Sequence, residues 1–264
     1  MSDQQLHFFN ITRPRDCIAH VEINRPQKLN AFVEPMWHEM KVVFDQLSED
    51  PSVRAIILSG AGEKAFSTGL NLQAASQEGS IFNPTPQDIQ DVGWHSFAMV
   101  VAVICVLHGA AYGLAIDIAT CADIRICTAD AALSVKEVDV GLASDAGTLA
   151  RLPKIVGSDS WVKEVCLTAR VFGAEEARRV GFVSDVGSCK IDAMERAISL
   201  AETVASKSPI AVQGTKNFLD WCRNHDVPSE RFRLWRINVH GCLEWCSSQD
   251  PGPVEGNGIV SEQG

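Results

Sequence analysis

Apolar residues recur along this chain with two periods, one strand-like and one helical, and the two alternate in strand, strand, helix order. Phe8 to Thr12 and Ile18 to Ile23 carry alternating or β-branched residues on either side of Arg13-Pro14-Arg15-Asp16, which predicts a hairpin. Arg25-Pro26 ends its second strand. From Ala31 to Leu47 the apolar positions Phe32, Met36, Met40, Val43 and Phe44 follow helical spacing, with Asn30 placed to cap the helix. Val53 to Leu58 reads as a buried strand and Ser59-Gly60-Ala61-Gly62 as a loop. Lys64 to Leu72 then carries a small-residue turn, Ser67-Thr68-Gly69, where glycine lets a ligand approach the backbone.

The polar stretch from Ala74 to Val92, with Pro84 and Pro86, predicts a loop suited to act as a lid. The apolar run from Phe97 ends in a buried strand, Val103 to Leu107, and Gly109 to Gly113 forms a tight turn into a helix over Leu114 to Cys121. Strands are expected at Asp123 to Cys127, Leu133 to Val135 and Phe182 to Val186. Helices are expected at Ala146 to Val156, Asp159 to Thr168 and from Gly173 onward. Beyond Ile191 the pattern is helical over Asp192 to Lys207, Pro209 to Cys222 and Ser229 to Cys246, with Pro209 at a favoured first-turn position. These elements predict an α/β fold with the core and site in residues 1–190, a helical region at 191–246 and a disordered, Gly-rich tail at 247–264.

With 264 residues the chain can bury a sizeable core, and no run approaches the ~18 apolar residues of a membrane helix. A net charge of -10 and a pI near 5.2 argue against a nucleic-acid partner. Nine cysteines scattered through a long chain read as reduced thiols. His240, Cys242 and Cys246, with Cys222 and His225, lack a recognised zinc spacing, so no metal site is expected. The first residues have no apolar signal core and are not Arg-rich, and the last three are not a peroxisomal tripeptide.

Chemistry enters at His108 to Pro153, where Asp117, Glu137 and Asp145 sit among small and apolar residues. Burying a carboxylate is costly unless it is paired or binds a proton, which makes the three site candidates. Two bland readings stand beside this: Asp145 as a helix cap and Asp117 as an ion pair with Arg125 or another base. Asp139, one turn of strand from Glu137, reads as a structural partner and His108 as a packed or hydrogen-bonded residue. If a helix begins at Leu114, its N–H is open to an anion and Asp117 lies one turn on. The N–H of Leu70, after the 67–69 turn, would complete an oxyanion hole if the two loops meet.

Four blocks in this order, RPQKLNAF (Arg25 to Phe32), AFSTGLNL (Ala65 to Leu72), HGAAYGLAIDIATCADIRI (His108 to Ile126) and VKEVDVGLASDAGTLARLP (Val135 to Pro153), resemble the crotonase, or enoyl-CoA hydratase/isomerase, superfamily. The resemblance covers roughly Ile18 to Asn217 and is nearest to the dienoyl-CoA isomerase branch. It implies a spiral of strand, strand, helix units with a C-terminal helical trimerisation region, and a homo-trimer or hexamer. By resemblance the oxyanion donors fall on Leu70 and Leu114, and the two acidic positions of the hydratases on Asp117 and Glu137. Asp145 stands where hydratases carry a small residue and dienoyl-CoA isomerases an aspartate. Arg25, Lys28, Leu29 and Lys64 fall at coenzyme A positions, the coenzyme being part of the substrate with no other cofactor. The family has consecutive glycines where this chain has Gly113-Leu114-Ala115, and its sequence departs further over 72–103 and after Asn217.

The implied reaction moves two double bonds of a 3,5-dienoyl-CoA to the 2,4 positions, removing a proton at C2 and adding one at C6 through a thioester dienolate. One group must be ionised and another protonated at one pH, which neighbouring carboxylates in an apolar pocket provide. Glu137 and Asp145 are expected to make the transfers and Asp117 to tune the field or exclude water. The alternatives are a 2-enoyl-CoA hydratase, a Δ3,Δ2-enoyl-CoA isomerase, or a non-catalytic acyl-CoA-binding or interaction protein. By resemblance alone the compartment is a peroxisomal or mitochondrial matrix, with the cytoplasm as the alternative.

Overall fold

A computed structural model describes residues 6–74, 101–144 and 146–223. The chain divides into two compact units, Met1–Lys207 and Ser208–Gly264. In the first, β1 (Phe9–Arg15) and β2 (Ile18–Ile23) form the expected antiparallel hairpin, closed by Cys17 in the left-handed region at φ 61. Helix α1 (Glu34–Glu49) buries Met36, Met40, Val43, Phe44 and Leu47 on one side, as the helical spacing required. Strands β3 (Ala55–Gly60) and β4 (Ala65–Ser67) follow. The next turn of chain comprises β5 (Ala102–Leu107), β6 (Ala110–Tyr112) and α2 (Leu114–Cys121).

A third turn contains β7 (Ile124–Thr128), β8 (Ala132–Ser134), a single 3-10 turn at Glu137–Val140, α3 (Thr148–Ile155) and α4 (Asp159–Thr168). The first unit ends with β9 (Phe172–Gly173), α5 (Ala174–Arg179), β10 (Asp185–Gly187) and α6 (Lys190–Ala205). Each turn sends its first strand to one sheet and its second to another. The large sheet runs β1-β2-β3-β5-β7-β10 and the small one β4-β6-β8-β9. From β2 to β10 the large sheet is parallel, as are β4, β6 and β8. Parallel pairing needs a crossover at every step, and the succession of crossovers winds the chain into a spiral.

Both faces of the large sheet are covered, so β3 and β5 are buried along their whole length. On one face Ala193, Ala197, Ala201 and Ala205 of α6 lie against Ile18, Ala55, Ile57, Ile104, Val106 and Ile126. Alanine every fourth residue gives α6 a narrow flank that fits close to the strands. This helix therefore belongs with the sheet, and the compact unit runs to Lys207 rather than ending at 190. In the second unit α7 (Pro209–Cys222) has Pro209 in its first turn and Ser208 as N-cap, whose hydroxyl accepts the Ala211 N–H.

Two local expectations are corrected. Asn30 does not cap α1, because Pro35 is tolerated only in a first turn and so sets the start at Glu34. Glu137 and Asp139 stand on a 3-10 turn rather than on a strand, since Lys136 already has helical backbone angles. Asp139 pairs with Lys136 at 2.8 Å on the surface. The proposed lid, apart from Ala74, lies outside the described residues, as do Asp145, the Ser229–Cys246 helix and the tail. No described helix is long and apolar enough to cross a membrane.

Candidate active site

Two backbone turns, one after β4 and one after β6, come into contact. Beyond β4, Phe32 bridges to Leu70, with the Phe32 N–H donating to Gly69 O at 2.8 Å and the Asn71 N–H to Phe32 O at 2.8 Å. That pattern leaves the Leu70 N–H outside the ladder. Beyond β6, Gly113 donates to Ser134 O at 2.9 Å and takes φ 56, ψ -121, a conformation reserved for glycine, before α2 begins. Leu114 is the first residue of α2, so its N–H has no partner within the helix. A β-carbon on Gly69 would stand 2.7 Å from Tyr112 O and 3.3 Å from Leu114 N. Glycine there is what allows the turns to touch. The side chains of Leu114 and Ala115 are buried in the core, so neither crowds the N–H despite replacing the family's glycines.

Two carboxylates flank the start of α2. Asp117, 1% exposed, is saturated with donors: Thr148 N–H at 2.7 Å and Thr148 Oγ1 at 2.6 Å on Oδ1, and Ser144 Oγ at 3.2 Å. Burial pushes its carboxyl above the ordinary value, opposed by those hydrogen bonds and by the charge of Arg151. Thr148 opens α3, so Asp117 serves as a cap supplied by another helix. Arg125, the partner weighed from sequence, donates to the carbonyls of Phe182, Ala119 and Ala122. Glu137 lies beside Gly113, its Oε1 3.3 Å from where a β-carbon on that residue would be, and its Oε2 is buried. Cys166 on α4 senses both groups: burial first, then the charges of Glu137 and Asp117, push its thiol up to about 11. Asp145, between Ser144 and Ala146 in sequence, lies outside the described residues.

The residues expected to hold coenzyme A gather around a neighbouring turn, Pro26–Lys28, on which Gly62 packs through the Pro26 ring. Lys28 and Lys64 are exposed there. Arg25 and Leu29 are engaged internally, Arg25 Nη1 with Ala31 O at 2.7 Å and Leu29 O with the Thr68 N–H at 3.1 Å. His108, 1% exposed, meets Gly62 O through Nε2 at 2.9 Å, which places the proton on that nitrogen. Burial lowers its pKa first, then Lys190, whose Nζ donates to Gly60 O at 2.7 Å and Gly62 O at 2.8 Å. No group of three or more potential metal ligands occurs among the described residues.

A contact between two N–H-bearing turns, with a glutamate over one of them, is suited to hold a polarised carbonyl oxygen and to move a proton nearby. A family model described as enoyl-CoA hydratase/isomerase matches residues 13–231. The chain belongs to that family. It is 38% identical to the mitochondrial Delta(3,5)-Delta(2,4)-dienoyl-CoA isomerase of Rattus norvegicus, over 90% of this chain and 77% of that protein. To the peroxisomal protein of the same name from Arabidopsis thaliana it is 37% identical, over 81% of this chain and 80% of that one. Among solved structures, a probable enoyl-CoA hydratase/isomerase from Mycobacterium abscessus matches with a TM-score of 0.79, at 26% identity and 92% coverage of each chain.

As a member of the enoyl-CoA hydratase/isomerase family this protein is an enzyme of isomerase or hydratase type acting on coenzyme A thioesters. Around the candidate site it carries residues that spacing did not reveal: Asn30 and Ser67 behind the Leu70 turn, and Ser144 and Thr148 around Asp117. Small polar side chains leave no periodic trace, and only the buried carboxylate hinted that donors must lie near it.

Proposed function

We propose that this enzyme converts 3,5-dienoyl-CoA to 2,4-dienoyl-CoA. The observation that carries the reading is the Glu137 carboxylate over the Gly113–Leu114 turn, in a chain similar over most of its length to proteins named for that reaction. In the proposed mechanism the N–H groups of Leu70 and Leu114 receive the thioester oxygen as it gains negative charge. Glu137 and Asp145 transfer the protons, one taking the C2 proton and the other delivering one to C6, so that the substrate's atoms are conserved and the two double bonds move together. Two carboxylates sharing an apolar site titrate as a pair, one ionised and one protonated.

Asp117 is assigned a supporting part, because its oxygens are already taken by Thr148 and Ser144. Lys28 and Lys64 are the proposed partners of the coenzyme's phosphates, whereas Arg25 and Leu29 shape the turn that receives it. Coenzyme A enters with the substrate, and no further cofactor is proposed. A homo-trimer or hexamer, in a mitochondrial or peroxisomal matrix like the named relatives, completes the proposal.

The deciding experiment compares turnover of 3,5-octadienoyl-CoA with hydration of crotonyl-CoA. Isomerisation should dominate in the wild type and vanish in Asp145→Asn. Near-normal isomerisation by that variant, or hydration as the faster reaction of the wild type, would sink the assignment.

A further inference from the structure

We propose that Asn30 is a positioning residue of this site, fixing the direction in which the Leu70 N–H points; the inference rests on Leu70 being an oxyanion donor. Asn30 is 0% exposed and its amide joins three backbone groups, those of Arg25, Ala61 and Ala65. Its Nδ2 donates to Ala61 O at 2.9 Å and Ala65 O at 3.0 Å, and its Oδ1 accepts the Arg25 N–H at 2.9 Å. Its own carbonyl accepts Ser67 Oγ at 2.8 Å, and that hydroxyl oxygen accepts the Gly69 N–H at 3.1 Å. The Leu29 carbonyl takes the Thr68 N–H at 3.1 Å. Every residue of the Ser67-Thr68-Gly69 turn is thus tied to Leu29 or Asn30, directly or through one hydroxyl.

The last link is geometric. Gly69 O and the Leu70 N–H belong to one planar trans peptide and point in opposite directions. The Phe32 N–H, two residues past Asn30, holds that oxygen at 2.8 Å and thereby aims the Leu70 N–H away from the Phe32 strand. Leu29 and Asn30 both have left-handed backbone angles, φ 50 and 55, which turn two successive carbonyls toward the 67–69 turn. Asparagine adopts that conformation more readily than other residues with a side chain, and its amide supplies both the paired donor and the acceptor used here. Aspartate would offer no donor to the carbonyls of Ala61 and Ala65.

Two variants test this. Asn30→Asp keeps shape and backbone preference but loses the donor, and Ser67→Ala removes the hydroxyl between Asn30 O and the Gly69 N–H. Both are compared with wild type by near-UV circular dichroism, by kcat and KM on 3,5-octadienoyl-CoA, and by the absorption band of bound 2,4-hexadienoyl-CoA. That conjugated thioester absorbs at longer wavelength when N–H donors polarise its carbonyl. Folded variants should show kcat lowered roughly 10- to 100-fold with KM little changed, and a smaller band shift. A folded Asn30→Asp with wild-type kcat and band shift overturns the inference. If Asn30→Asp does not fold, Ser67→Ala decides by the same readings. A wild type that shifts the band without isomerising the 3,5-dienoyl thioester refutes the isomerase reading alone, and the band still tests Asn30. A wild type that leaves the band unmoved refutes both.

Discussion

Asp117 and Glu137 flank the same helix start, yet one is bound into the framework and the other stands over the turn that the substrate is proposed to meet. Asp117 has its oxygens turned to Thr148 and Ser144 and ties α2 to the beginning of α3. Glu137 comes from a 3-10 turn whose next carboxylate, Asp139, already faces solvent, and it lies over a glycine with no side chain to keep it off. Two acidic residues in apolar surroundings look alike in a sequence. What separates them is the surroundings each meets, the donors of Thr148 and Ser144 at Asp117 and the Gly113 turn at Glu137, and both are contributed by distant segments.

The contrast is broken most directly at Glu137. Glu137→Gln keeps the shape and removes the titrating group, so kcat for dienoyl isomerisation should fall about 10³-fold, with a smaller loss of unfolding free energy than Asp117→Ala shows. Steady-state kinetics and urea denaturation measure the two. Asp117→Ala should behave the other way round. It leaves the buried Thr148 N–H without its acceptor and should lower stability by about 1–3 kcal/mol in urea, with a smaller loss of kcat than Glu137→Gln shows. Should Asp117→Ala lose more activity and less stability than Glu137→Gln, the two roles are reversed.

The smallest effect sharpens the comparison through pH. Burial raises the carboxyl of Asp117 above its ordinary value of 3.8, so between that value and the raised one the native state binds the proton more tightly than the unfolded state. Stability from this group is therefore greatest below the ordinary value and declines as pH rises through the folded value. Asp117→Asn has no such proton to gain. The difference in urea midpoint, wild type minus Asp117→Asn, should accordingly move in favour of the wild type on acidification through that window. A difference that is flat, or that moves the other way, would show that hydrogen bonding outweighs burial at Asp117.

Much of the fold was legible because its signals are local. Leu114 to Cys121, Asp159 to Thr168 and Pro209 to Cys222 have the bounds read from helical spacing, glycine and proline. The strand, strand, helix order was visible from the alternation of periods. Asn30 reads as a cap because an asparagine before an apolar helical run suits one; Pro35 is the local signal that moves the start to Glu34, whereas nothing local says that Arg25, Ala61 and Ala65 need the amide. At the site, the Leu70 and Leu114 turns were identifiable as glycine-marked turns. That they meet depends on β4 pairing with β6, a relation between segments more than forty positions apart. Thr148 and Ser144 stayed hidden for the same reason: their partner is on another helix.

The ammonium of Lys190 has a temporal meaning as well as a spatial one. It holds the carbonyls of Gly60 and Gly62, 130 and 128 positions earlier in the chain, in the loop that packs against Pro26. On a ribosome that loop emerges well before its clamp, and the isoleucine face of the sheet likewise precedes the alanines of α6. Long-range closure of this kind makes fixing of the Gly60–Gly62 loop a late event in folding. A nascent chain that ends before Lys190 already holds Leu70, Leu114, Asp117 and Glu137 but lacks the helix that backs the large sheet.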